Sequence, residues 1–246
     1  MSDALSALLA AAQRVAIFTG AGISTESGVP DFRSPGGIWT RLAPIDFKDF
    51  LRSEDLRREA WRRKIEIDRD MQVAKPNRGH RAVAALLAQG KARAVITQNI
   101  DGLHQHSGIA EQAVIELHGN GTYARCLDCG LRHELAPIVE AFTREDRLPE
   151  CVDCGGIVKS ATVSFGQAMP PAAMQRAQAE AQACDLCLVL GSSLSVYPAA
   201  GIPRMARRNG ARLVIINREP TDQDHLADLV LRTDLGPTLG AALNID

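Results

Sequence analysis

Apolar residues are concentrated in five short runs, most of them rich in β-branched side chains. The runs occupy residues 15–19, 92–97, 113–117, 186–190 and 212–216. Runs that are apolar on both faces are typical of strands buried inside a parallel sheet. Helical stretches at residues 81–88, 171–183 and 199–208 supply crossover connections, and a first helix, with Ser2 or Asp3 near its cap, turns Leu5, Leu8 and Leu9 inward. The pattern predicts an α/β fold built on a doubly wound parallel sheet.

Small or polar residues end every one of these runs. In open parallel sheets, ligands bind at the carboxyl ends of the strands, so these residues are candidates for one shared, Rossmann-like crevice. They are Gly20-Ala21-Gly22, Gln98-Asn99-Ile100-Asp101, His118-Gly119, Gly191-Ser192-Ser193 and Asn217-Arg218-Glu219.

The first of these turns resembles a dinucleotide-binding fingerprint, but only in part. It reads GAGISTESGVPDFR from Gly20 to Arg33, and Thr25 occupies the place of the third glycine. A dehydrogenase also needs an acid at the end of a second strand, whereas Asp46 follows two prolines. The ribose-binding role then falls to Asn217 or Glu219. The sequence favours a dinucleotide but does not favour hydride transfer.

Two segments do not fit the sheet pattern and predict a smaller inserted lobe. We expect residues 36–79 to form a helical module and residues 121–159 a zinc-ribbon module, while residues 1–35, 80–120 and 160–246 form the Rossmann-like, dinucleotide-binding domain. The helical module carries seven basic and six acidic residues between Arg52 and Asp70. This balance favours a solvated helix with i,i+4 ion pairs over a basic binding face.

Six cysteines occur as three C-x2-C pairs. The first two pairs, CLDCG and CVDCGG, each end in the glycine that a tight metal-binding knuckle needs, which predicts one structural Zn²⁺ held by four thiolates. Two disulfides or four free thiols are the alternatives. The zinc ligands are Cys126, Cys129, Cys151 and Cys154. Cys184 and Cys187 lack the glycine and lie in an apolar strand, which predicts two core side chains.

His118 is the strongest candidate for acid–base chemistry, because it follows a predicted central strand at the ligand edge. His104 and His106 are expected to pack or to form hydrogen bonds. His80 lies at a helix start and His133 inside the zinc-ribbon module, where four cysteines already suffice for the metal.

Overall composition excludes several classes of partner. The chain has 246 residues and a formal net charge of -1, which predicts no general binding to nucleic acid or to an anionic membrane. No apolar run approaches the roughly 18 residues of a membrane span. The N-terminal stretch has an acid at Asp3 and no basic residue before Arg14, unlike a secretion signal. A cytoplasmic location is therefore expected.

Seven motifs, in order over nearly the whole chain, resemble the sirtuins, the NAD-dependent protein lysine deacylases. They are GAGISTESGVPDFR, TQNIDGLH, ELHG, the four cysteines, FG at Phe165 and Gly166, GSSLSVYPAA and INREPTDQD. The resemblance implies a large NAD domain and a small lobe, with the acyl-lysine entering a tunnel between them. It implies that NAD is consumed: nicotinamide leaves, and the acyl oxygen captures C1' of the ribose, which leads to O-acyl-ADP-ribose.

The resemblance also implies roles for individual residues. His118 would be the general base on a ribose hydroxyl, with one titrating group near neutrality, and Asn99 and Asp101 would hold the ribose and the nicotinamide amide. The diphosphate would lie on Gly20, Ala21 and Gly22, helped by a helix dipole. The remaining residues assigned to NAD are Thr25, Asp31, Phe32, Arg33, Trp39, Gln98, Ile100, Gly191, Ser192, Ser193, Asn217, Arg218, Glu219 and Leu235. The substrate peptide would add as a strand between Val163, Phe165 and Gly166 on one side and Ser195 and Val196 on the other.

Departures from the family bear on the substrate. Ser160, Ser164 and Gln167 change the tunnel approach, and Lys64 and Ile67 stand where relatives that remove succinyl or malonyl groups have a Tyr-x-x-Arg pair. Neutral acyl groups, acetyl or longer, are therefore favoured. A protein mono-ADP-ribosyltransferase or NAD hydrolase using the same site is the alternative function, and a zinc-ribbon binding module is a third. The protein targets, the subclass and the oligomeric state stay open.

Overall fold

A computed structural model describes residues 2–32 and 37–245 of the chain. Within these residues, the strands in chain order are β1 (Val15–Thr19), β2 (Val95–Thr97), β3 (Val114–Glu116), β4 (Gly119–Cys126), β5 (Arg132–Glu134), β6 (Val158–Thr162), β7 (Leu186–Leu190), β8 (Arg212–Ile216) and β9 (Leu229–Leu231). The α-helices are α1 (Ser2–Ala11), α2 (Ile38–Arg41), α3 (Phe47–Arg52), α4 (Glu54–Val73), α5 (Arg78–Ala88), α6 (Leu103–His106), α7 (Leu135–Glu145), α8 (Pro171–Ala183), α9 (Gly201–Arg208) and α10 (Leu235–Leu243).

The large sheet has six parallel strands in the order β3-β2-β1-β7-β8-β9. The chain winds outward from β1 in one direction and from β7 in the other, so the switch point lies between these two strands. Thr19 pairs with Thr97 on one side and with Leu190 on the other, which brings three carboxyl ends level with one another. The predicted doubly wound α/β fold is confirmed.

Alternate residues of the strands build two cores, one on each face of the sheet. Ile17 and Leu188 pack with α1, α5 and α10 through apolar side chains such as Leu5 and Leu239. The opposite face packs against α8 and α9, and it includes Phe18 as well as both Cys184 and Cys187. Burial on both faces is the reason why the strand sequences are continuously apolar. The expected core role of the two cysteines is confirmed.

Several element bounds differ from the sequence expectation. Strands β2 and β3 are shorter than the apolar runs, and β9 was not predicted at all. Helix α5 begins three residues early, because Asn77 caps it with bonds to the backbone N–H groups of Gly79 and His80 while His80 Nδ1 accepts from the Asn77 N–H. Helix α8 has the predicted bounds, and α9 begins at Gly201.

The small lobe combines an antiparallel sheet, in the order β5-β4-β6, with helices α4 and α7. Trp61 of α4 is buried in one cluster with Ala124, Phe142 and Val158, so the helix packs on the sheet through an aromatic side chain. The sheet continues to Thr162 in β6. The exact division of the chain into domains remains a prediction.

Helix α4 carries the predicted i,i+4 ion pairs. Arg58 contacts Glu54 at 2.6 Å and Arg63 contacts Glu59 at 2.6 Å. A third pair, Lys64 with Asp68, is buried rather than solvated, since the two side chains are only 11% and 10% exposed. In the part of the chain that the structure describes, none of the helices has the length and apolar character needed to cross a bilayer.

Replacing Gly191 by alanine is expected to lower the free energy of unfolding by at least about 2 kcal/mol. Gly191 has φ +64°, and an added Cβ would lie 2.4 Å from Ile23 N and 2.5 Å from Gly22 C. The matched control is Gly201→Ala, where an added Cβ meets nothing within 4 Å. The control should be neutral or stabilise by up to about 1 kcal/mol. Urea unfolding of both variants tests this; unchanged stability of Gly191→Ala would contradict it.

Candidate functional site

A cavity of about 780 Å³ runs along the carboxyl edge of the large sheet and continues between the sheet and the small lobe. This volume lies in the range of small-molecule sites. Most residues predicted from the sequence to bind NAD line it: Gly20, Ala21, Gly22, Thr25, Asp31, Phe32, Trp39, Gln98, Asn99, Ile100, His118, Gly191, Ser192, Ser193, Asn217, Arg218, Glu219 and Leu235. Four of the five residues predicted to bind the peptide line it as well, namely Val163, Phe165, Gly166 and Val196.

Asp101 and Ser195 were predicted to bind NAD and the peptide, respectively, but neither is among the lining residues. Asp101 is buried behind the wall, where it receives two hydrogen bonds. Ser195 lies beside the cavity, with its Oγ 2.9 Å from Ser193 Oγ. Arg33 falls outside the described residues. The assigned functional roles of all these residues remain predictions.

The glycine-rich turn after β1 is tied directly to the end of β7. Gly20 N donates to Leu190 O at 3.0 Å, and Gly22 N donates to Gly191 O at 2.8 Å. A Cβ on Gly22 would lie 2.7 Å from Gly191 Cα, so the turn needs glycine for this close backbone approach. Thr25 has a local role of its own, because its hydroxyl donates to Gly22 O at 3.0 Å.

The expected helix after this turn is absent from the described residues, so the predicted help from a helix dipole was wrong. Two short 3₁₀ turns, Ala21–Ile23 and Thr25–Ser27, follow β1 instead. They end at Gly28, which adopts φ 85° in the left-handed region that stops a helical run. Any anion here is therefore bound by local N–H groups and not by a long helix.

A buried hydrogen-bond chain fixes the orientation of Asn99. Asn99 Nδ2 donates to Ser24 Oγ at 3.1 Å, and Ser24 Oγ donates to Asp101 Oδ2 at 2.7 Å. A serine hydroxyl has one proton, so it cannot satisfy two oxygen acceptors, and the amide must present its nitrogen to Ser24. Asn99 Oδ1 is then a buried acceptor with no partner in residues 2–32 and 37–245. Burial raises the pKa of Asp101, and the bonds from Leu103 N and Ser24 oppose that shift.

Two buried histidines pack next to the hydrogen-bonded residues Asn99, Ser24 and Asp101. His104 Nε2 lies 2.9 Å from Thr19 Oγ1, and the His80 and His104 rings are 5.2 Å apart. Burial lowers the pKa of His80 to about 4 and that of His104 to about 3, so both are neutral at physiological pH. The expected hydrogen-bonding role of His104 is confirmed.

His118 is held in one tautomer at the cavity wall. Its Nδ1 lies 3.1 Å from the carbonyl oxygen of Gln98, and a carbonyl can only accept, so Nδ1 carries the proton. In the neutral ring Nε2 is then an unprotonated base. Burial lowers the pKa of His118 below 6.5, while the bond to Gln98 acts in the opposite direction. The side chain is therefore neutral at pH 7 and able to accept a proton.

An aromatic group closes the cavity beside the predicted peptide-binding segment. The Trp39 ring lies 5.5 Å from the Phe32 ring and 5.2 Å from the Phe165 ring. Phe47 N donates to Phe165 O at 2.8 Å, which links α3 to the segment after β6. Val163 N donates to His118 O at 2.8 Å, so this segment is anchored next to the candidate base.

The four knuckle cysteines form a cluster that fits one metal ion. All four Sγ atoms lie within 4.8 Å of one another, and the Cys126–Cys154 and Cys129–Cys151 pairs are each 3.5 Å apart. A tetrahedral zinc site with 2.3 Å bonds has S–S edges of about 3.8 Å, whereas a disulfide is about 2.0 Å long. The residues present therefore suit a closed Zn²⁺ shell with no open position for catalysis.

Comparison with known proteins shows the family to which the chain belongs. Residues 20–198 match the Sir2 family. A Rhodopseudomonas palustris protein named NAD-dependent protein deacetylase is 58% identical over 238 residues, which cover 97% of this chain and 94% of that relative. NAD-dependent protein deacetylase 1 of Bradyrhizobium diazoefficiens is 57% identical over 238 residues, covering 97% and 93%.

The chain belongs to the Sir2 family. Solved structures of the family have the same fold. One, described as Sir2-p53 peptide-NAD+, matches with a TM-score of 0.89 at 35% identity and covers 99% of this chain and 98% of its own. Another, described as Sir2 bound to acetylated peptide, matches with a TM-score of 0.87 at 34% identity and the same coverage. The resemblance inferred from the seven motifs is thus confirmed.

Sequence reasoning missed the residues that support the site from behind. Ser24 connects Asn99 to Asp101, and Thr19 and Thr97 share a hydrogen bond of 2.8 Å at the strand ends. Ser24 lies inside the glycine-rich motif, so its hydroxyl was visible in the sequence, although its burial was not. The contribution of α4 to the cavity wall had no signal in the apolar pattern, because it depends on how the helix packs.

Loss of one zinc ligand should remove the metal and loosen the small lobe. Freshly purified protein is expected to hold one zinc per chain, and Cys151→Ala to hold none, because the folded lobe depends on metal-binding free energy. Cys184→Ala is the matched control, since Cys184 is a buried cysteine outside the cluster. Elemental analysis and limited proteolysis of residues 121–159 measure both effects. Metal-free wild-type protein would defeat the assignment.

Proposed function

We propose that the chain removes acyl groups, acetyl above all, from protein lysines in a reaction that consumes NAD. The observation that carries this proposal is the pairing of an unprotonated His118 Nε2 with the unpartnered Asn99 Oδ1 in one cavity. One side chain can take a proton and the other can accept a hydrogen bond. A ribose carries hydroxyl groups that meet both needs.

The cavity also has the features that a dinucleotide requires. Glycine backbone forms one wall at Gly20, Gly22 and Gly191, where the absence of side chains lets a bulky phosphate approach the main chain closely. Asn217 and Glu219, at the end of β8, supply polar groups to the same cavity for the adenosine half. The relatives named NAD-dependent protein deacetylase support this choice of co-substrate.

When bound, NAD supplies the glycosidic bond that is broken and the ribose that receives the acyl oxygen. The chain's own residues position the bound groups and accept a proton from them. His118 accepts a proton at Nε2 while Gln98 O holds the ring through Nδ1. Asn99, fixed through Ser24, accepts a hydrogen bond at Oδ1. Preorganised groups of this kind need no rearrangement when charge develops.

The substrate peptide is expected to bind at the free edge of β6. Within residues 2–32 and 37–245 this strand pairs only with β4, so the segment that follows it, with Val163 and Phe165, can accept an extended peptide. Val196 lies on the opposite wall of the cavity. An acyl-lysine inserted between these walls would reach the side of the cavity where His118 lies.

Turnover of acetyl-lysine peptide with NAD tests the proposal. Mass spectrometry should detect deacetylated peptide, nicotinamide and O-acetyl-ADP-ribose in equal amounts. His118→Ala should lower the rate of deacetylation by at least about 10²-fold, as expected for loss of a general base. His225→Ala is the control, since His225 is exposed and lies outside the cavity lining.

Two results would contradict the proposed reaction. Release of nicotinamide without dependence on the peptide, with ADP-ribose attached to protein, would favour the ADP-ribosyltransferase or NAD hydrolase alternative. Full deacetylation by His118→Ala would remove this histidine from the mechanism.

The pH dependence of kcat/KM should have an acidic limb with its midpoint below 6.5. His118 must be neutral to accept a proton, so activity is complete above its pKa and falls as the pH drops through that value. Burial lowers this pKa from 6.5. The kinetic midpoint should agree with the pKa from NMR titration of the His118 ring, assigned by comparison with His118→Ala. A midpoint above 6.5 would contradict this prediction.

A further inference from the structure

The cavity extends well beyond the strand ends and includes one side of helix α4. Trp61, Ile67 and Met71 of this helix line it, and the side chains of Ile38 and Leu42 add further apolar wall. The cavity therefore extends beyond the residues that are assigned to the co-substrate. Under the proposed function, on which this inference rests, the acyl tail of the substrate is the group that can occupy this extension.

A buried ion pair interrupts the apolar wall. Lys64 Nζ donates to Asp68 Oδ2 one helical turn away, and both residues line the cavity. Their side chains are 11% and 10% exposed, unlike the other i,i+4 pairs of α4, in which each side chain is at least 25% exposed. Burial lowers the pKa of Lys64 and raises that of Asp68, so both charges are held at a cost and depend on each other.

This pair has hydrogen-bonding capacity to spare. An ammonium group has three donors and a carboxylate about four acceptor positions, yet within the described residues each group makes its single hydrogen bond to the other. An apolar tail that covered the pair would leave those remaining positions unpaired, which is unfavourable. A tail that carries a polar group could pair with them.

The other two cations along this part of the wall have partners. Arg63 Nε donates to Glu59 at 2.6 Å and its Nη1 donates to Ala43 O at 2.5 Å. Lys159 Nζ donates to the carbonyl oxygen of Thr162 at 2.5 Å. Glu59 does not line the cavity and Lys159 donates to backbone carbonyls, whereas Lys64 and Asp68 place a donor and an acceptor side by side in the wall.

We propose that Lys64 and Asp68 select acyl-lysines whose tail carries a neutral hydrogen-bonding group, such as a hydroxyl, over hydrocarbon tails of equal length. A hydroxyl can donate to Asp68 and accept from Lys64 at the same time. A carboxylate tail could accept from Lys64 but would be repelled by the Asp68 carboxylate, since the pair as a whole is neutral. The preferred class is thus hydroxyacyl, and neither plain long-chain acyl nor acidic acyl.

The test compares kcat/KM for matched peptides in the presence of NAD. The pairs are butyryl with 4-hydroxybutyryl and hexanoyl with 6-hydroxyhexanoyl, with acetyl and glutaryl peptides beside them. In the wild-type protein, at least one hydroxylated tail should exceed its hydrocarbon partner by about tenfold, or about 1.4 kcal/mol of transition-state stabilisation. The glutaryl peptide should be a poorer substrate than the preferred hydroxyacyl peptide.

A double variant removes the pair without leaving a buried charge. K64M/D68L replaces both side chains by apolar ones of similar size, a change that is often neutral or stabilising for folding. The hydroxyl preference should disappear or reverse in this variant. The matched control is E140L/R144M, which removes an i,i+4 pair on α7 whose side chains are 68% and 69% exposed. The control should keep the wild-type ratio, which does not depend on the folded fraction.

The possible failures are distinguishable. Acetyl turnover with equal rates for hydroxylated and plain tails would overturn this inference and leave the proposed function intact. A preference that survives in K64M/D68L, or a preference for glutaryl, would overturn it as well. If the acetyl peptide and all the others stay unprocessed, the proposed function fails, and this inference fails with it.

Discussion

The direct contact between the turn after β1 and the end of β7 is the constraint on which the site depends. Gly22 N bonds to Gly191 O, and a side chain at either position would collide with the backbone of the other. Glycine at both positions brings two strand ends together at the switch point of the sheet, where the crevice opens. The same turn carries Ser24 under Asn99, so the polar groups of β1 and β2 form one unit.

Burial determines which atoms of this unit donate hydrogen bonds and which accept them. Ser24 has only one hydrogen to give, and it goes to Asp101, which leaves the Asn99 oxygen directed away from Ser24. The Gln98 carbonyl fixes the His118 tautomer in the same manner. Low solvent access strengthens such hydrogen bonds and makes an unpaired polar group costly in free energy. The rigid sheet edge therefore prepares an acceptor and a base before any ligand binds.

The small lobe supports the candidate reacting groups through packing, because His118 and Asn99 both lie at strand ends of the large sheet. Trp61 joins α4 to the sheet that carries the cysteine cluster, and Phe47 N joins α3 to the segment after β6. Zinc at the four cysteines would hold that sheet, and none of these cysteines lines the crevice. Under the proposed function, the metal would maintain the lobe and the base would act in the reaction.

The sequence by itself determined much of the architecture. Continuous apolar runs identified five of the six parallel strands, because burial on both faces leaves no room for polar residues. It also identified the cavity-lining residues at the strand ends, because sheet geometry brings the carboxyl ends of parallel strands to one edge. The cysteine cluster followed from the spacing and the glycines of the two knuckles.

Only the tertiary structure decided the rest. The short strand β9 has too few residues to give a pattern of its own, and the 3₁₀ turns after β1 replaced an expected helix because Gly28 ends them. Ser24, His80 and His104 meet through contacts between residues far apart in the chain. The burial of the Lys64–Asp68 pair was likewise invisible, since an i,i+4 pair has the same spacing in the sequence whether it lies in solvent or in a core. Which face of a helix is buried depends on its packing partner, and that partner is set by the fold.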